Sequence, residues 1–138
     1  MSMNEFIEKG QVKRASRDIS LAKALLSTAE SDLKFLQNLP ISTESARKIM
    51  SNYYDVLRSI LEAISAIDGY KIYSHEAFTY FLKEKGEERI AQKFDRFRKI
   101  RNKINYYGKN ITPEEADENT REIILLVNEL KKKYLGKM

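Results

Sequence analysis

No cysteine occurs among the 138 residues, which excludes disulfides, thiol nucleophiles and thiolate metal sites. A single histidine excludes a histidine-rich metal cluster. Five glycines and two prolines leave little turn chemistry for a β-rich fold. No apolar run approaches the roughly 18 residues of a membrane span, and the polar, mixed-charge N-terminus is unlike a secretory leader, so a cytoplasmic protein is expected. There is no phosphate-cradling glycine loop, no Ser/His/Asp set and no carboxylate grouping of metal type; no cofactor and no metal are expected. Glu114, Glu115, Asp117 and Glu118 do cluster, but at the start of a helix, where acids favour the dipole.

What the chain does hold is charge. Asp, Glu, Lys and Arg make up 33% of it, in the company of many Ile and Tyr, a balance that suits a heat-adapted source. The length is enough for one core. With no repeat, low-complexity tract or linker, one domain over residues 1–138 is expected, with residues 1–11 frayed or forming a short separate turn.

Hydrophobic spacing predicts helices. Val12, Ala15, Ile19, Ala22, Leu26, Ala29, Leu33 and Leu36 follow a three-four rhythm, which predicts a first helix over 12–39 that Pro40 ends. Ser42 or Thr43 can cap a second helix reaching Asp68, its stripe running from Ala46 through Tyr53 and Leu57 to Ile67, with Gly69 as its stop. The segment Tyr70 to Tyr73 reads as a loop. Ser74 caps a short third helix holding Ala77, Phe78, Phe81 and Leu82, which Gly86 ends. A fourth runs from Glu87 to Tyr107, with Gly108 beyond it. Thr112, Pro113 and Glu115 make the start signal of a fifth, which reaches Tyr134. The tail Lys131 to Lys133 complements the negative end of its dipole. The expected fold is therefore all-α: an antiparallel up-and-down bundle of four long helices plus one short helix. The stretch Ile123 to Val127 is apolar all round, so that Leu125 points away from the stripe of Ile123, Val127 and Leu130. A helix apolar on two sides is deeply buried or packs on a second subunit.

The fourth helix carries the unusual chemistry. From Arg89 to Lys109 there are eight Lys or Arg against the single acid Asp95, a local charge of +7 in a chain whose total is +5. Such a field attracts phosphates or acidic partners, or else is a solvated helix face. At about 100° per residue, Tyr107, Ile100, Ile104, Phe97, Ile90 and Phe94 form a continuous apolar arc. Arg101 falls inside it, between Ile90 and Phe94. A charge on a core stripe is costly unless it is paired or reaches a solvated cleft. Beyond Arg101 the helix surface continues through Asn105, Arg98, Asn102 and Tyr106. These side chains are suited to holding a phosphate or the edge of a base. The alternative is that Arg101 snorkels past the core to a helix-end carboxylate.

The run Phe97-Arg98-Lys99-Ile100-Arg101-Asn102-Lys103-Ile104-Asn105-Tyr106-Tyr107-Gly108 resembles the signature of HEPN domains, an arginine followed by a polar residue with a histidine four to six positions on. The stretches Tyr54-Asp55-Val56-Leu57 and Gly69-Tyr70-Lys71, with Tyr73-Ser74-His75-Glu76, are similar to small prokaryotic members. The resemblance covers roughly residues 12–130. It implies an up-and-down helical bundle that pairs as a homodimer, with motif residues of both subunits lining a shared cleft. Many members are metal-independent ribonucleases. Others are inactive and bind RNA, nucleotide or a minimal nucleotidyltransferase in toxin–antitoxin pairs. By position Arg101 matches the family arginine and Asn102 its polar neighbour. Tyr106 stands where the histidine belongs. A tyrosine hydroxyl ordinarily titrates near about pH 10, so it is a poor general base where histidine is a good one. What remains is positioning and electrostatic stabilisation.

The leading expectation is thus a homodimeric binding protein without catalysis, whose basic cleft of Arg98, Arg101, Asn102, Asn105 and Tyr106 takes RNA, nucleotide or a nucleotidyltransferase partner. The rival is a metal-independent ribonuclease with Arg101 and Tyr106 as its catalytic pair. His75, at the start of the third helix, is expected neutral there and packed near Tyr73 or Phe78. Core or bundle-end packing is likewise the expectation for Tyr53, Tyr54, Tyr70 and Tyr73, over a platform for bases.

Overall fold

The computed structural model describes residues 1–138, and they are mostly helical. In chain order the elements are α1 (Met3–Glu8), β1 (Val12–Arg14), α2 (Ile19–Gln37), α3 (Ala46–Asp68), β2 (Tyr70–Ile72), α4 (His75–Glu84), α5 (Glu88–Tyr107) and α6 (Pro113–Tyr134). The apolar rhythm of α3 extends beyond one stripe. Ile49, Met50, Tyr53, Leu57, Ile60, Leu61 and Ile64 are buried as expected, and Tyr54, Val56, Ala63 and Ala66 are buried as well. α3 is accordingly the central element, touching α2, α4, α5, α6 and β2. Burying a Leu or Ile side chain of this kind contributes roughly 1.5–3 kcal/mol. Gly69 ends it in the left-handed region, at φ 83°, with its N–H bonded back to Ala66. No helix is long and apolar enough to cross a membrane.

The ends of α6 follow the sequence signals. The Thr112 hydroxyl accepts from the Glu115 N–H, and the Glu115 carboxylate closes the capping box on the Thr112 backbone. Ile123, Val127 and Leu130 are buried, while Leu125 points outward and is 68% exposed.

Three expectations need correction, and one open alternative is decided. The first helix begins at Ile19, capped by Asp18, not at Val12. Val12, Ala15 and Ile19 keep helical spacing, but Val12 to Arg14 form a strand. The expected loop after Gly69 is its partner: Val12 pairs with Ile72 and Arg14 with Tyr70, antiparallel. Flanking bonds from Ala15 N–H to Gly69 O and from Tyr73 N–H to Gln11 O lengthen the ribbon. A side chain repeating at three and four cannot declare so short a strand, because the partner lies far along the chain. Second, α3 starts at Ala46, after a serine-braced turn in which Ser42 and Ser45 bond to each other, and neither Ser42 nor Thr43 is its cap. Third, of the two readings for residues 1–11, a short separate helix forms: Met3 and Phe6 of α1 are buried, and Phe6 packs on Tyr80 at 5.3 Å between ring centroids. Fourth, Tyr107, assigned to the apolar arc, is 78% exposed, since the last turn of α5 outruns its neighbours.

Candidate functional site

Along α5 the apolar arc does what its spacing asks. Ile90, Phe94, Phe97 and Ile104 are buried and Ile100 is half-buried. The basic face is less bare than its sequence. Arg89 bonds to Glu129, and Arg96 to Asn119 and Glu122, all on α6. Asp95 takes both Arg98, at 2.8 Å, and Lys99, at 3.1 Å. Burial alone would raise the Asp95 carboxyl, but hydrogen bonds from Arg98 and Lys99 outweigh it and hold it below its ordinary value. Thr79 of α4 donates to the same carboxylate oxygen at 3.3 Å.

Arg101 is different. It is half-buried, and its guanidinium carbon lies 5.7 Å from the centre of the Tyr54 ring. Its Nε is buried and has no hydrogen-bond partner. It neither snorkels to a helix-end carboxylate nor lies on the open outside. The ring beneath it is held by Phe94, stacked at 5.5 Å.

α3 supplies the opposite wall. Ser51, Tyr54, Asp55 and Arg58 stand at spacings of three and four, a second row beside the core stripe. Ser51 donates to Asn105 at 3.3 Å. Arg58 is braced by Glu62 and, from its buried Nε at 4.0 Å, by Asp55, a separation at which that Nε makes no hydrogen bond. The Tyr54 hydroxyl lies 3.1 Å from Nδ1 of His75, the first residue of α4. Burial pushes the Tyr54 phenol well above its ordinary range, against the pull of Arg101, Arg58 and Arg98. The same cluster lowers His75 to about 4, through burial first and then through Arg58, Arg101 and Arg98. The ring is therefore neutral near neutral pH, as expected from its position, but its partner is Tyr54.

The five binding candidates thus divide. Arg98, Arg101 and Asn105 face the α3–α5 seam. Asn102 is half-buried and makes no hydrogen bond to the cluster, and Tyr106 is 72% exposed on the final turn of α5. A polar groove of about 420 Å³ continues the seam past Asn105, lined by charges of both signs, Glu44 and Asp55 with Arg47 and Lys48, and by Ile104 of α5. A larger cleft, about 640 Å³, opens elsewhere, between Leu39, Ile41 and Tyr53 and the start of α6, and it contains none of these side chains. Sequence reasoning missed Arg58 and the pairing of Tyr54 with His75. The row at 51, 54, 55 and 58 is the signal that points to them.

Compared with protein-family models, curated proteins and solved structures, the chain matches none.

Proposed function

We propose that this chain is a HEPN-like homodimeric binding protein, not itself catalytic, whose basic seam between α3 and α5 holds the phosphates of RNA or nucleotide. In this reading the four long helices make the family's antiparallel up-and-down bundle, and two copies set their α5 helices across a shared cleft in the cytoplasm. The observation that carries it is Arg101: a half-buried guanidinium with no carboxylate, beside two arginines that have one. A fixed cation left unneutralised at the edge of a core is favourable where an anion arrives to meet it. A minimal nucleotidyltransferase is the alternative occupant, if it presents an acidic surface to the same charge.

Arg101→Ala tests the proposal by fluorescence anisotropy with labelled single-stranded RNA. Losing one charge-assisted contact of about 1.5–3 kcal/mol weakens binding roughly ten- to a hundred-fold, with the helical circular dichroism unchanged. Undiminished RNA binding by the folded variant overturns the reading, and binding of a nucleotidyltransferase in place of RNA transfers the seam to that partner.

One observation favours the enzyme reading, a metal-independent ribonuclease. The motif has Tyr106 where a histidine belongs, but His75 arrives in the same cluster from another helix. A ring lowered to about 4 is a weak base near neutral pH, which is why binding is the preferred reading. Ribonuclease activity requires cleavage products in EDTA that vanish with Tyr106→Phe or His75→Gln. Intact RNA after incubation with clean protein sets it aside.

A further inference from the structure

We propose that Arg58 of α3, Arg101 of α5 and the imidazole of His75 converge on one phosphoryl group, so that the seam contains a discrete phosphate seat and not only a diffuse basic surface. The inference rests on the anion-binding reading of the seam and adds two residues to it. Arg101 buries an Nε with no partner in the chain, and the buried Nε of Arg58 makes no hydrogen bond, its ion-pair partner being Asp55 Oδ1 at 4.0 Å. They approach from opposite walls: Arg58 lies one turn after Tyr54 on α3, and Arg101 lies over the Tyr54 ring from α5. His75 is joined to that same tyrosine. Three residues from three helices therefore meet around one buried phenol.

The electrostatics say what the seat takes. Like charges held close repel, and the seam answers two of its three arginines with carboxylates, Arg58 by Glu62 and Asp55, and Arg98 by Asp95. Arg101 alone has no carboxylate of its own, and a phosphodiester can supply its missing counter-charge. Burial first, and then the charges of Arg58 from α3 and of Arg101 and Arg98 from α5, keep the His75 ring neutral. In the tautomer in which the Tyr54 hydroxyl donates to Nδ1, the ring proton sits on Nε2 and the imidazole is a further donor. The seat then offers donors from Arg101 and the imidazole, beside an Arg58 that is held by the carboxylates of Asp55 and Glu62. A phosphate brought there reverses the field at the ring and makes the imidazolium more favourable.

The chain has one histidine, so its imidazole proton resonances need no assignment. Titrating them against pH, alone and with saturating oligouridine (whose bases do not ionise over the acid range) or inorganic phosphate, reads the seat directly. The expected result is that either probe shifts the His75 resonance and raises its midpoint from near 4. Arg58→Gln should reduce the oligouridine affinity about ten-fold and abolish the midpoint change. Arg58→Lys, which keeps the charge and the fold but loses the planar fork, should recover only part of the affinity. If phosphate moves His75 but oligouridine does not bind, the seat stands and the RNA reading falls. If oligouridine binds in an Arg101-dependent way while His75 is unmoved, or while Arg58→Gln binds as tightly as the parent, the seat is overturned and the RNA reading stands. An unmoved His75 with both probes overturns the seat outright.

Discussion

At the scale of single residues, His75 makes stability depend on acidity. Its ordinary value is 6.5 and the folded value about 4. Between those values the unfolded chain binds the extra proton, so stability is complete above about pH 6.5 and falls as the pH drops through 4. For a half-buried ring the loss is about 1–2 kcal/mol after solvent screening. Urea unfolding across this range measures it, and His75→Gln should flatten the slope there. Gly69 offers a second test. It has φ 83°, and a Cβ there would stand 2.9 Å from the carbonyl oxygen of Ala15, whereas at Gly108, φ 64°, a Cβ meets nothing within 4 Å. Gly108→Ala should cost about 1 kcal/mol for the left-handed backbone alone. Gly69→Ala should cost about 2 kcal/mol or more, because the ribbon must shift. The two thermal unfolding midpoints, compared side by side, decide this. Residue scale is also where reading the sequence succeeded and then stopped. Arg101 stood out because one charge interrupted an apolar arc. Arg58 did not, because its position on α3 looks like an ordinary polar face until α5 is laid against it.

At the scale of elements, boundaries with a local chemical signal were legible. Thr112, Pro113 and Glu115 announce α6 through contacts within four residues, and Gly69 and Gly108 announce stops through their own backbone. Elements defined by a distant partner were not. β1 exists because Ile72 is there to pair with Val12, and α1 is a docked helix because Tyr80 receives Phe6. Phe6→Ala therefore separates a docked α1 from a frayed end. With Phe6 only 1% exposed, its truncation should lower stability by about 3 kcal/mol in chemical denaturation. A loss of only a few tenths would mean that α1 contributes nothing to the core. The second wall of the candidate site belongs to the same class. Tyr54 and His75 are 21 positions apart and meet only because β2 delivers the chain to the start of α4.

At the scale of the whole molecule, the mostly helical character was legible in composition and spacing, since few turn residues and long apolar stripes leave little else. The distribution of charge was only half legible. The +7 between Arg89 and Lys109 was visible, but not that Glu122 and Glu129 of α6 would pair with Arg96 and Arg89 while Arg101 is left without a carboxylate. The proposed homodimer is tested at this scale. Leu125 is 68% exposed on a helix whose other large apolar side chains are buried or half-buried, and it is the side chain we place in the subunit contact. Leu125→Asp should convert a dimer to a monomer in sedimentation velocity, and an unchanged mass removes Leu125 from the contact.

The ribbon also sets an order of assembly. Val12 can find Ile72 only after some sixty intervening residues have been made and α3 has formed, since its end turns directly into β2. Closing so long a span comes late, because its entropy is lost before its bonds are gained. On a growing chain the first fourteen residues therefore wait for their partner until β2 has been made.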